Sequence, residues 1–170
     1  WDTHSATSFA YMFNASNCAN TDFSDWNIEK VTSLQAMFYN AKGNIYGVTH
    51  WNTKNVSNFV NVFTNAKGMQ HPIGQWDYSS LPEGGHIGID GSGLSVDAYN
   101  RTLEGWEANP TIRKPIVQAK DLYYSNKYLH DTQLKTAKAF QFLNDKHVAD
   151  KNLTLSVYNM RLKVGEKKEL

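Results

Sequence analysis

Apolar and polar positions recur with a fixed period along the first half of the chain. Trp1, Trp26, Trp51 and Trp76 are separated by 25 residues each time. Asp or Asn follows each of them (Asp2, Asn27, Asn52, Asp77), and a small or branched apolar residue comes five positions after the Trp (Ala6, Val31, Val56, Leu81). Phe9, Leu34 and Phe59 hold a third column, and the pairs Met12-Phe13, Met37-Phe38 and Val62-Phe63 a fourth. Phe23, Val48 and Ile73 precede the later Trp residues by three. So many columns kept in phase without a gap identify an internal repeat, which has to be settled before any local assignment.

The columns also predict shape. Trp and the residue two positions on (Thr3, Ile28, Thr53, Tyr78) share one side of an extended segment, because strand side chains alternate. Val31, Leu34, Phe38 and Ala41 fall on one stripe of a helix or of successive 3-10 turns. Each unit is thus expected to run strand, short helical return, then a polar turn such as Ala41-Lys42-Gly43-Asn44 or Ala66-Lys67-Gly68. One unit cannot bury its apolar face alone, whereas units laid on one another can. The expected fold class is α/β: a short right-handed solenoid, with a parallel strand ladder and short helical returns, closed by a mixed α/β C-terminal cap. Trp26, Trp51, Trp76, Phe13, Phe38 and Phe63 are its predicted core, since a residue that fills every layer must recur in every layer.

The fourth unit breaks after Leu81, where Pro82-Glu83-Gly84-Gly85 disfavours another return. Ser95 is placed to cap a helix with the stripe Val96, Tyr99, Leu103 and Trp106, ending before Pro110. Ile116 to Ala119 suits a strand. Asp131 is placed to cap a second helix carrying Leu134, Ala137 and either Phe140 or Leu143. The expected division is repeats over 1–83, a cap over 84–155, and an exit strand or linker over 156–170. Opening on Trp1 in mid-pattern suits a piece of a longer protein. An uncovered first unit is then expected to fray, to be covered by preceding residues, or to associate with another chain.

Composition narrows the classes. Apolar residues are 41% of the chain, enough for a core, and aromatics are 13%. Seventeen basic side chains face sixteen acidic ones, a net charge of +1. That leaves no basic field for nucleic acid and no polybasic stretch for an anionic membrane. The sequence has no apolar run of membrane-spanning length. The single cysteine, Cys18, excludes an internal disulfide or a cysteine metal cage.

Trp51-Asn-Thr-Lys-Asn-Val-Ser-Asn-Phe59, followed by Val62-Phe-Thr-Asn-Ala66, resembles the BspA-like leucine-rich repeat of bacterial surface lipoproteins. Trp26 to Ala41, with Met37-Phe38, matches equally well. The first unit fits with Ala6 and Phe9 in the Val and Met columns, and the fourth matches only at Trp76-Asp77 and Leu81. Gly91-Ser-Gly-Leu-Ser95 with Tyr99, Leu103 and Gly105-Trp106 is similar to the segment closing such arrays, as are Tyr123-Tyr124-Ser125 and the region near Ala137. The last residues, Leu162 to Leu170, resemble the opening strand of a bacterial Ig-like module or form a plain charged linker. The resemblance implies a leucine-rich-repeat-like fold and a cell-surface or secreted bacterial protein connected with adhesion and protein binding.

Candidate contact residues flank each Trp: Asp25, His50 and Gln75 before it, Asn27, Asn52 and Asp77 after it. Amides, carboxylates and one imidazole in rows suit a protein, peptide or glycan ligand. The column after Trp has a second reading, in which it hydrogen-bonds its own turn or the neighbouring unit. Tyr123, Tyr124 and Tyr128 are further candidates for aromatic contact. Enzyme chemistry finds little support. The six histidines (4, 50, 71, 86, 130 and 147) make no metal-protease spacing, and no Gly-x-Ser-x-Gly elbow occurs. Gly91-Ser92-Gly93 lacks the lysine of a phosphate loop, and Asp90, Ser92 and Asp97 are better explained by the closing segment than by calcium. The sequence therefore predicts a non-enzymatic binding or adhesion module without metal or cofactor, with a purely structural spacer as the alternative.

Overall fold

A computed structural model describes residues 1–17, 20–112 and 115–122. The regular elements are brief. Strand β1 (Thr21–Asp22) pairs in parallel with β2 (Ile45–Tyr46), a 3-10 turn covers Val48–His50, and β3 (His86–Gly88) pairs in parallel with β4 (Ile116–Gln118). One α-helix, α1 (Val96–Ala108), lies between β3 and β4 in sequence. Isolated parallel bridges join Ser8 to Ser33, Ser33 to Asn58, Ile45 to Met69 and Phe59 to Ile87.

This corrects the expected fold class. A leucine-rich-repeat-like solenoid with a continuous strand ladder and helical returns is not what the chain forms. Among the described residues there are two separate two-stranded sheets and a single α-helix. The Trp segments are not strands: the parallel pairs form at Thr21–Asp22 and Ile45–Tyr46 instead. The anticipated returns are chains of turns. Ala36, Asn40, Asn61 and Asn65 have φ of 49°, 57°, 55° and 58°, as do Tyr11 and Ala15 at equivalent places with 62° and 54°. A left-handed residue every few positions cannot sit inside a right-handed helix. The backbone amides are also committed elsewhere. Leu34, Ala36, Phe38 and Asn40 donate to the carbonyls of Asn58, Val60, Val62 and Thr64 in the next unit. Intervening residues close local turns instead, as Met37 N–H does to Leu34 and Ala41 N–H to Phe38. An i to i+3 spacing of apolar side chains is thus produced without a helix, and Val31, Leu34, Phe38 and Ala41 are all fully buried.

Packing follows the 25-residue register. Phe13 stacks on Phe38 at 5.6 Å and Phe38 on Phe63 at 5.4 Å, each pair within 7° of parallel. Trp51 stacks on Trp76 at 6.2 Å. Their indole N–H groups donate to Phe23 O at 3.0 Å and Val48 O at 2.9 Å, which satisfies the one polar group each ring buries. Trp51, Trp76, Phe38 and Phe63 are buried. Trp26 and Phe13 are only half-buried at the N-terminal end of the row, and Trp1, stacked on Trp26 at 5.8 Å, is 84% exposed.

Helix α1 begins at Ser95, whose hydroxyl accepts the Ala98 N–H at 3.1 Å. Ser95→Ala is expected to cost about 1 kcal/mol, read by urea denaturation, because that amide then lacks a partner. Tyr99, Leu103 and Trp106 are buried, whereas Val96, predicted to share their stripe, is exposed. The helix packs on the fourth unit through two glycines: a Cβ on Gly105 would fall 2.7 Å from the Gly74 backbone. Thr102 Oγ1 accepts the Ile73 N–H, and Asn109 Nδ2 donates to Gly74 O and Trp76 O. Trp106 Nε1 donates to Tyr78 Oη at 3.0 Å, and Tyr78 Oη in turn donates to Ile73 O at 2.8 Å. Burial pushes the Tyr78 phenol far above its ordinary range, so it stays protonated in this chain of bonds. The predicted second helix from Asp131, the Tyr123, Tyr124 and Tyr128 contacts, Cys18 and the 156–170 strand or linker lie outside the described residues.

Candidate functional site

Two rows of polar residues flank the Trp column, and the structure separates them. Asn27 Oδ1 accepts the Glu29 N–H at 2.9 Å, Asn52 Oδ1 the Lys54 N–H at 3.4 Å, and Asp77 Oδ1 the Ser79 N–H at 2.8 Å. Asp2 does the same with His4. Each is an Asx turn, in which the side chain imitates a backbone carbonyl and fixes the bend after Trp. Asn27 and Asp77 are half-buried and Asn52 is exposed. The row after Trp is therefore occupied with its own turns.

The row before Trp differs. Asp25, His50 and Gln75 are all exposed, and among the described residues their side chains make no hydrogen bond or ion pair. They occupy equivalent places in three successive units, with His50 at the end of the 3-10 turn and Asp25 and Gln75 in tight turns. Main-chain neighbours in such a register are separated by about 4.8 Å. A carboxylate, an imidazole and a carboxamide thus offer donors and acceptors one residue away from a ring that is half-buried at Trp26 and buried at Trp51 and Trp76. The arrangement suits hydrogen bonding to an extended ligand; no general base is paired with a nucleophile in it.

Other rows were missed by sequence reasoning. Ser8, Ser33 and Asn58 accept the N–H two residues on, forming a second column of side-chain turns. Gln35 Nε2 donates to Tyr11 Oη at 2.7 Å and Asn58 Nδ2 to Gln35 Oε1 at 3.2 Å, a side-chain ladder across three units. Asn65 Nδ2 donates to Asn40 Oδ1, and Asn44 Nδ2 to Asn20 Oδ1. The recurrence of Asn40 and Asn65 was visible in the sequence, but the 24- and 23-residue offsets of Tyr11, Gln35 and Asn58 fall out of the Trp phase. On the far edge, Tyr46 meets His71 edge-on at 5.8 Å.

The Ser24 hydroxyl and N–H hold the Asp22 carboxyl below its usual range. Desolvation pushes Asp90 upward against the Lys120 N–H that it accepts. Neither lies in the rows beside Trp. Among the described residues, no group of three or more His, Cys, Asp or Glu is placed to hold a metal ion, and no helix is long and apolar enough to cross a membrane.

Residues 1–76 match the family described as "Mycoplasma protein of unknown function, DUF285". The matched stretch runs from the first repeat Trp to the fourth. It contains Asp25, His50 and Gln75 and stops short of α1. No curated protein and no solved structure matches the chain.

Proposed function

We propose that the chain is a non-enzymatic binding module of a bacterial cell-surface protein, engaging a protein, peptide or glycan through the row Asp25, His50 and Gln75. The observation that carries this reading is the contrast between the two rows. The polar groups after Trp are hydrogen-bonded into their own turns, whereas these three are exposed, unpaired and held at equivalent places in adjacent units. Residues with no structural partner on a rigid support are where recognition is economically placed. Their chemistry differs from unit to unit, as suits a ligand read at several points. The resemblance of the Trp-Asn-Thr-Lys-Asn-Val units to BspA-like surface proteins supports the same assignment and the surface location. The near-neutral charge argues against nucleic acid as the ligand.

The test is the triple variant Asp25→Ala, His50→Ala, Gln75→Ala, assayed for binding to cultured cells and to glycan and peptide arrays. Binding is expected to fall at least tenfold, since each lost hydrogen bond is worth roughly 0.5–1.5 kcal/mol. The melting temperature should stay put, because none of the three packs against the core. Undiminished binding by the folded variant would move the ligand elsewhere; absence of binding by the parent chain would favour a spacer.

A further inference from the structure

Most of the hydrogen bonds between the turns of successive units point one way. Phe9, Tyr11, Phe13 and Ala15 donate their N–H groups to the carbonyls of Ser33, Gln35, Met37 and Tyr39. Leu34, Ala36, Phe38 and Asn40 donate to Asn58, Val60, Val62 and Thr64, and Phe63 and Asn65 to Gly88 and Asp90. Ile89 and Gly91 continue the pattern to Gln118 and Lys120. Each unit therefore shows carbonyls to the unit before it and amides to the unit after it. The first unit has the same four acceptors, on Ser8, Ala10, Met12 and Asn14. Among the described residues these carbonyls receive no hydrogen bond. The flanks of the ladder run the other way: Thr32 N–H donates back to Thr7 O and Ser57 N–H to Thr32 O on one side, Lys42 N–H to Ser16 O and Gly93 N–H to Ala66 O on the other, so on the first side the free N–H of the first unit belongs to Thr7.

The apolar surface beside these carbonyls is unfinished in the same sense. Trp26 and Phe13 are half-buried, whereas their equivalents Trp51 and Phe38 are covered on both sides. Met12 and Tyr11 are exposed, whereas Met37 and Ala36 at the same places are buried.

We infer that this end is a docking surface for a further polypeptide unit of the same turn-rich type. That unit lies parallel to residues 7–15 and donates backbone N–H groups at alternate residues to Ser8, Ala10, Met12 and Asn14. Its aromatic residue covers Phe13 and Trp26. The occupant follows from continuity with the interface already formed three times within the chain. The polarity of the ladder excludes one simpler partner: a second copy meeting end to end would oppose carbonyl to carbonyl along most of the ladder.

A copy of residues 26–50 fused directly ahead of Trp1 in the full chain tests this, against a Gly/Ser leader of equal length. The copied unit is expected to raise the melting temperature by several degrees and to shift tryptophan emission to the blue. Iodide quenching should fall as Trp1 and Trp26 are covered. By hydrogen exchange, the copied amides of Leu34, Ala36, Phe38 and Asn40 should slow to the rate of the originals. Copied amides that exchange freely, an equal gain from the Gly/Ser leader, or a dimer of the unfused chain that protects Trp26 would each overturn the inference.

Discussion

Trp51→Ala is expected to destabilise the protein by ~3–5 kcal/mol, the range for removing a large buried aromatic side chain. Trp51 is 5% exposed and touches rings from three positions: Trp76 at 6.2 Å, Phe38 at 6.4 Å and Phe23 at 6.3 Å. Removing the indole opens a void that the rigid turns on either side cannot close, and it takes from Phe23 O one of its two donors, leaving the Trp26 N–H. The loss should be graded along the row. Trp76→Ala, at 1% exposure, should cost as much as Trp51→Ala, Trp26→Ala distinctly less, and Trp1→Ala almost nothing. Gln75→Ala, exposed beside Trp76, should remain within ~0.5 kcal/mol of the parent. Urea denaturation of the five variants measures the series. A flat series would mean that the rings do not carry the packing of the repeats.

Gly68→Ala is expected to cost ~2–3 kcal/mol, the upper part of the range for overpacking a close contact. A Cβ there would run into the carbonyl of Gly43, and the next nearest atoms are again Gly43 and Asn44 backbone. Backbone has no rotamer with which to yield, so adjacent units must separate or their turns must deform. Gly93 stands in the same relation to Lys67, its would-be Cβ colliding with that carbonyl. Gly84→Ala is the control, since φ there is +74° but nothing lies within 4 Å. It should cost only the left-handed strain of about 1 kcal/mol. Thermal melts of the two variants separate close approach from backbone strain. Equal losses would remove the case for contact between the turns.

The glycines show how much of this was readable beforehand. Gly43, Gly68 and Gly93 keep the 25-residue period as strictly as the Trp residues do. They pass easily for ordinary turn residues, because a sequence does not reveal what lies 25 residues away in space. The Asx turns were an open reading for Asn27, Asn52 and Asp77, and only the distances to Glu29, Lys54 and Ser79 decided it. Asp25, His50 and Gln75 were named as candidates from their place beside Trp. Their freedom from partners is a tertiary fact. The Tyr11–Gln35–Asn58 ladder was invisible, because its members differ in type and drift by one or two residues from the main period.

The sequence alone determined the periodicity, the residues that share a column, the break after Leu81 and a capped helix starting at Ser95. All of these follow from local chemistry: burial of rings at a fixed interval, a proline and paired glycines, and a hydroxyl placed before an apolar stripe. Secondary structure within the repeat was decided only in three dimensions. A stripe with spacing near three and four satisfies helix and turn chain alike. Here the competition for backbone amides was won by the next unit. Each N–H given to a neighbour is lost to an i−4 carbonyl, and the left-handed residues between them then close turns where a helix had been expected.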